Sequence, residues 1–244
     1  MFKAMKSVRR AVSFLTLVAV MSFGSSPSAN ATNVNCSVSG SFTVASGVVT
    51  GNTACVGVAV IPDAVTSIGL SAFYQNSGLT SVTFGPGSQL ASIGNNAFHT
   101  ATALTTIAIP NLVTSIGIAA FQSATSLSSI TMPNTVSSIG QGAFSFTTSL
   151  TSISLPTSLT AISPYLFQSA GITSLTIPNS VTTISQHAFV SANALTTVNL
   201  PAATTSIAAD AFASTPALTA INVDAANTTY NSTDGVLFNK ARTS

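Results

Sequence analysis

Val113-Thr-Ser-Ile116-Gly-Ile-Ala-Ala-Phe121-Gln-Ser-Ala-Thr-Ser-Leu127-Ser-Ser-Ile130-Thr-Met132-Pro133 is one unit of a repeat, and its reading decides the fold. Phe121 recurs as Phe73, Phe98, Phe144, Phe167, Phe189 and Phe212, at spacings of 25, 23, 23, 23, 22 and 23. Ile116 keeps step with Ile68, Ile93, Ile139, Ile162, Ile184 and Ile207. Leu127 does so with Leu79, Leu104, Leu150, Ile172, Leu195 and Leu218, and Ile130 with Val82, Ile107, Ile153, Leu175, Val198 and Ile221. The alternation at Ser129-Ile130-Thr131-Met132 predicts a β-strand, with Ile130 and Met132 facing inward and the two hydroxyls facing out. Val113 to Ile116 is a second, shorter β-block, and the segment around Phe121 between them predicts a compact turn or short helical piece. A proline closes the longer strand at Pro86, Pro110, Pro133, Pro156, Pro178 and Pro201, where its missing N–H is tolerated.

Self-similarity at such a period means a solenoid, in which each unit buries its apolar face against the next. The expected fold is mainly β: about seven units of 22–25 residues over residues 61–223, coiled into a curved rod with a parallel sheet along one side. The two extra residues of the first unit fall in Gly85-Pro86-Gly87-Ser88-Gln89, and the missing residue of the fifth lies between Phe167 and Ile172. Both changes sit between apolar blocks, where connecting segments absorb them.

The chain has 244 residues, 4% charged and 46% hydrophobic, and no Trp. A disordered chain shows the opposite balance. Residues 1–31 read as a secretory signal: a basic start (Lys3, Lys6, Arg9, Arg10), an apolar core from Ala11 to Phe23, and the small-x-small site Ala29-Asn30-Ala31. The core is shorter than the roughly 20 apolar residues that cross a bilayer, so no membrane span is expected after cleavage. Removing it leaves Lys240 and Arg242 against Asp63, Asp210, Asp224 and Asp234, two cations against four carboxylates, a net −2. Nucleic acid is therefore not an expected partner, because a run of phosphates needs many cations. Cys36 and Cys55 are the only cysteines, and in an oxidising compartment they predict a disulfide. Residues 32–60, with Ser41 to Val44 and Val48 to Thr50 flanking Ala45-Ser46-Gly47, predict a hairpin that caps the first unit. Residues 224–244 read as an incomplete terminal repeat or the start of further repeats, and no comparable cap is legible there.

The pattern Leu-Thr-Ser-Ile-x-Ile-Pro followed by Val-Thr-Ser-Ile-Gly-x-x-Ala-Phe resembles the leucine-rich repeats of the BspA-like bacterial surface proteins, over about residues 61–238. Tyr230 to Phe238 is similar to the repeat-terminal motif of that family. The resemblance implies a secreted or cell-surface module for adhesion and protein interaction. Two columns depart from the family: its frequent cysteine three residues after the Phe is Asn76, Ala101, Ala124, Thr147, Ala170, Ala192 and Thr215 here. Ser163, Ser185 and Ala208 replace the glycine that follows the Ile in earlier units, so that position cannot strictly require a positive φ.

No catalytic, metal or cofactor constellation is legible, and the chain is not expected to be an enzyme. His99 and His187 lie four units apart, roughly 19 Å at about 4.8 Å per coil, too far to share a metal or a proton. The aspartates are scattered, with no pair recurring at one repeat position, and Asp210 reads as a turn residue. No Ser sits in a Gly-x-Ser-x-Gly elbow, and there is no phosphate-cradling glycine loop. What recurs is hydroxyl. The outward strand positions form one file of Ser81, Thr106, Ser129, Ser152, Ser174 and Thr197, and a second of Thr83, Thr131, Ser154, Thr176 and Asn199, broken by Ala108 and ending at Asn222. A rigid, extended face of this kind suits recognition of a large extracellular protein or glycan. The alternative reading is a hydroxyl array that orders water and binds ice, or that binds glycan.

Overall fold

A computed structural model of the chain describes residues 31–240, so the proposed signal, Ala31 apart, lies outside the described residues. Every regular element among the described residues is a strand. The chain coils so that a unit typically contributes a two-residue strand, such as Ser115–Ile116, and a longer one, such as Ser129–Thr131. Both kinds pair parallel with their counterparts one coil away, in strict register: Ile93 opposes Ile116, and Ile107 opposes Ile130. Because the register equals the repeat, identical apolar side chains stack in columns inside the rod.

The Phe segment is a chain of turns, and the short helical alternative is set aside. In the third coil, Ala119 and Ser123, two residues before and two after Phe121, hold φ of 52° and 58°. The same two positions are left-handed in most other coils. Left-handed backbone costs an L-residue roughly 1–2 kcal/mol, and the ladder it permits is what offsets that cost. Alternate N–H groups of one coil donate to carbonyls of the next: Ala119 to Gln141, Phe121 to Ala143, and Ser123 to Ser145, each at 2.9 Å. The intervening Gln122 and Ala124 N–H groups close turns on their own coil, to Ala119 and Phe121 carbonyls. A helix would spend every N–H within one coil and leave neighbouring coils unbonded.

The glycines after the Ile column serve close approach and keep negative φ. A Cβ on Gly117 would stand 2.5 Å from the Asn95 N, and one on Gly140 2.5 Å from the Ile118 N. The column three residues after the Phe is buried from Asn76 to Ala192 and half-buried at Thr215, and where it is polar it is satisfied: Thr147 Oγ1 donates to the Phe144 carbonyl at 2.8 Å.

Down the centre run the phenylalanines. Phe73, Phe98, Phe121, Phe144, Phe167 and Phe189 are fully buried, with ring centroids 5.2–5.9 Å apart and near-parallel planes, and the half-buried Phe212 continues the stack. At the N-terminal end, β1 (Thr32–Asn35), β2 (Ser39–Ala45) and β3 (Val48–Ile61) form an antiparallel set. β3 doubles as a zeroth coil, pairing Val49 with Ile68 in one column and Ala59 with Val82 in the other. Phe42 of β2 closes the ring stack edge-on against Phe73, at 5.6 Å. The turn ladder is closed by a side chain: Asn52 Nδ2 donates to the Ala72 carbonyl at 2.8 Å. Cys36 and Cys55 form a disulfide with Cα atoms 5.5 Å apart. At the other end the tail folds as a hairpin of Tyr230–Thr233 and Val236–Asn239, which the sequence did not announce. It takes up N–H groups of the last coil, Ile221 donating to the Gly235 carbonyl and Val223 to Ser232 Oγ.

The expected single sheet is interrupted. The short-strand column pairs as far as Ser138–Ile139 and resumes as a separate sheet at Ala161–Ile162. The long-strand column forms no strand at Ser152–Ser154. The break adjoins the short fifth unit, where the chain squeezes past its neighbour: a Cβ on Gly171 would lie 2.1 Å from the Thr148 carbonyl oxygen. Ser163 Oγ donates to the Ile139 carbonyl at the gap. The turn ladder crosses it unbroken, Phe144 donating to Leu166 at 3.1 Å and Phe146 to Gln168 at 2.7 Å. Core and turns hold the two halves together.

Candidate binding face

The long strands present the two hydroxyl files to solvent. Thr106, Ser129, Ser152 and Ser174 of the first and Thr83, Thr131, Ser154 and Thr176 of the second are exposed; Ser81, Thr197 and Asn199 are half-buried. The residues between them face the core, with Ile107, Ile130, Leu175 and Val198 buried. Ser129, Thr131, Ser152, Ser154 and Ser174 make no side-chain hydrogen bond to protein among the described residues. The far end of the second file is tied up: Asn222 Nδ2 donates to Asn199 Oδ1 at 2.9 Å, and Asn199 Nδ2 to Thr176 Oγ1 at 3.2 Å.

Two further hydroxyl columns, which sequence reasoning did not separate out, explain much of the Ser/Thr content. Thr105, Ser128, Thr196 and Thr219 each donate to a backbone carbonyl of the preceding coil, at 3.1, 3.2, 2.9 and 3.3 Å. Thr114, Ser137, Thr182 and Thr205 do the same beside the short strands. Each of these carbonyls also accepts the N–H of the same residue, so the hydroxyls add a second bond between coils that the backbone already joins. The outward files are thereby marked as the hydroxyls left over. Ala108 and Ala220, the bonded asparagines and the gap at Ser152–Ser154 divide them into short runs, so they make no single flat array.

Beside the first coils the face borders a depression of about 630 Å³, walled by Phe84, Pro86, Ile109, Pro110 and Leu112. Leu112 is 51% exposed. The loop Gly85 to Gln89 builds one wall, folded over Asp63, whose carbonyl accepts from the Gln89 N–H at 3.0 Å. The sequence signal for this feature is the two-residue insertion between Phe84 and Leu90, which builds a wall as well as being tolerated.

On the opposite turn side, His99 and His187 do not meet, as their four-unit separation required. Asp210 is a turn residue with a partner: His187 Nε2 lies 3.2 Å from Asp210 Oδ2. The pairing was legible, because both stand two residues before their Phe and so occupy adjacent rungs of one column. Tyr165, at the same offset, stacks on the other side of His187, with centroids 4.9 Å apart and planes 4° from parallel. Tyr74 and His99 form a second pair at 5.1 Å. No group of three or more His, Cys, Asp or Glu that could hold a metal exists among the described residues.

His99 carries a titration consequence. Its Nδ1 is buried without a partner, and burial lowers its pKa below the ordinary 6.5. The unfolded chain therefore takes up the proton first, and stability is lost as pH falls through 6.5. Tm is expected to be lower at about pH 5.5 than at about pH 7.5, with His99→Gln flattening part of that slope. Thermal melts across that interval check it; a slope unchanged in the variant would remove His99 as a cause.

Stacked parallel coils, a continuous apolar column and one solvated strand face define a leucine-rich-repeat β-solenoid. The family model for the BspA-type leucine-rich repeat region matches in six copies, over residues 52–170 and 114–234. The chain belongs to the BspA-type leucine-rich-repeat family. Among solved structures, a leucine-rich cell surface protein from Faecalibacterium prausnitzii A2-165 is 26% identical, with a TM-score of 0.71 over 89% of this chain. A leucine-rich repeat protein from Bacteroides ovatus ATCC 8483 is also 26% identical, with a TM-score of 0.59 over 72% of this chain. The chain spans only 60% and 45% of the length of these two proteins. No curated protein matches it significantly. No helix among the described residues is long and apolar enough to cross a membrane.

Proposed function

We propose that this chain is a secreted or cell-surface recognition module that holds an extracellular protein against its strand face. The observation that carries the reading is the set of outward hydroxyls left unspent by the fold, bordering an apolar depression. Free hydroxyls supply adaptable hydrogen bonds on a scaffold that loses little freedom on binding. Leu112 and Phe84 supply apolar surface that a partner can bury beside them. Family membership and the cell-surface relative support the location, as does the signal read in residues 1–31. Scattered acids and an isolated His–Asp contact offer no catalytic assembly, so recognition is the activity we assign.

The test uses the full chain exported from a bacterial host, with its mass read to see whether it begins at Thr32. Wild type and a Ser129→Lys/Ser152→Lys/Ser174→Lys variant are compared for binding to immobilised matrix proteins and glycans. Three long cations on adjacent rungs crowd the face while leaving the core untouched. Binding to at least one matrix protein is expected, weakened about tenfold or more in the variant. Equal binding by both would remove the strand face from the account.

A further inference from the structure

We propose that the turn face between the third and fifth coils carries a subsite for a neutral sugar ring, with Tyr165 as its stacking platform. The site is a depression of about 380 Å³. It exists because the fourth coil lacks bulk at two columns. Gly142 stands between Ala119 and Tyr165, and Ser145, itself buried and donating to the Tyr165 carbonyl, stands between Gln122 and Gln168.

Tyr165 shares its column with Gly142 on one side and His187 on the other. One face of its ring is covered by the parallel imidazole of His187, which Asp210 holds in turn. Since the stack runs along the rod, the other face looks across Gly142 into the depression, where no side chain of that column covers it. Around this face stand the carboxamides of Gln122, Gln141 and Gln168. None of the three makes a side-chain hydrogen bond to protein among the described residues. Each offers two donors and an acceptor, and no charged side chain lines the site.

A single open aromatic face ringed by unspent amides matches a pyranose, whose C–H face packs on the ring while its hydroxyls bond the rim. A peptide anchor favours a dry, well-packed pocket, and this rim is polar. Tyr74 provides a contrast within the same molecule. It is backed by His99 and borders a depression of the same size, about 380 Å³. Its amides are already committed, Asn52 to the Ala72 carbonyl, Asn76 to Asn52, and Gln75 to the Tyr74 hydroxyl. Of the two, the Tyr165 site combines the platform with free partners.

Gly142→Asn fills the gap with a residue this column already carries, asking Ser145 Oγ to yield by a few tenths of an ångström. Asn96 occupies the same column at φ 55°, close to the 63° of Gly142, and the nearest atom to an added Cβ is Ser145 Oγ at 3.2 Å. Tyr165→Ala removes the platform itself. Each purified protein, checked for folding by circular dichroism, is titrated with methyl glycosides of glucose, galactose and N-acetylglucosamine up to about 50 mM, enough to reveal a millimolar Kd. Binding is read by saturation-transfer NMR and, for the chains keeping Tyr165, by tyrosine fluorescence, which no Trp obscures. At least one glycoside is expected to bind wild type saturably, and each substitution to weaken it about tenfold or more. The triple-lysine strand-face variant is expected to bind the glycoside as wild type does, so the two readings fail separately. Absence of saturable binding, binding that survives Gly142→Asn, or proline-rich peptide binding in place of glycoside would each overturn the proposal.

Discussion

Phe121→Ala is expected to lower the unfolding free energy by about 3–5 kcal/mol, at the upper end for a core truncation. The ring is fully buried between Phe98 at 5.2 Å and Phe144 at 5.6 Å. Its loss removes two stacked contacts, each adding about 0.5–1.5 kcal/mol beyond area burial. The cavity cannot close, because coil spacing is set by backbone bonds on either side: Phe98 N–H to the Ala120 carbonyl at 2.7 Å, and Phe121 N–H to Ala143 at 2.9 Å. Phe212→Ala, at the half-exposed end of the stack with Phe189 as its one stacked neighbour, is expected to cost less than half as much. Urea unfolding of both variants measures the difference. Equal losses would mean that the column is not the continuous interior described above.

Replacing both Cys36 and Cys55 by Ser is expected to cost about 3 kcal/mol, the loop-closure value for a loop of this length. The bridge joins residues 19 apart and ties the β1–β2 connection to β3. β3 is the strand on which both columns of the first coil are built. In a solenoid each coil contacts only its neighbours, so loosening one end raises local opening there before the middle feels it. Hydrogen exchange is expected to speed up at the amides of Val49 and Gly69 while that of Ile130 stays protected. Uniform acceleration along the rod, or none, would contradict this division of stability.

Much of the architecture was legible because a solenoid makes register and repeat the same thing. The column of Ile93, Ile116 and Ile139 in the sequence is the column of paired residues in space. The disulfide and the N-terminal hairpin followed from cysteine count and alternation in the same way. The turn around Phe121 was harder, since Ala119-Ala120-Phe121 carries no local mark of left-handed backbone. Its φ values are imposed by hydrogen bonds to residues 22 positions on, which no short window contains. The His187–Asp210 contact is the opposite case: it joins unlike residues on adjacent rungs of one column, both two positions before their Phe, where a search for like residues finds nothing.

What the sequence by itself determined is the period, the Phe, Ile and strand columns of the interior and the two outward hydroxyl files, because these follow from spacing alone. Only the tertiary structure decided which polar groups are spent and which are free. Thr105 and Thr106 are neighbours of one residue type, yet the first bonds the coil before it and the second faces solvent. The distinction depends on the few ångströms between coils, which set whether a hydroxyl reaches a carbonyl next door. The same spacing let Gly142 open a gap beside Tyr165 that no reading of either residue alone would place.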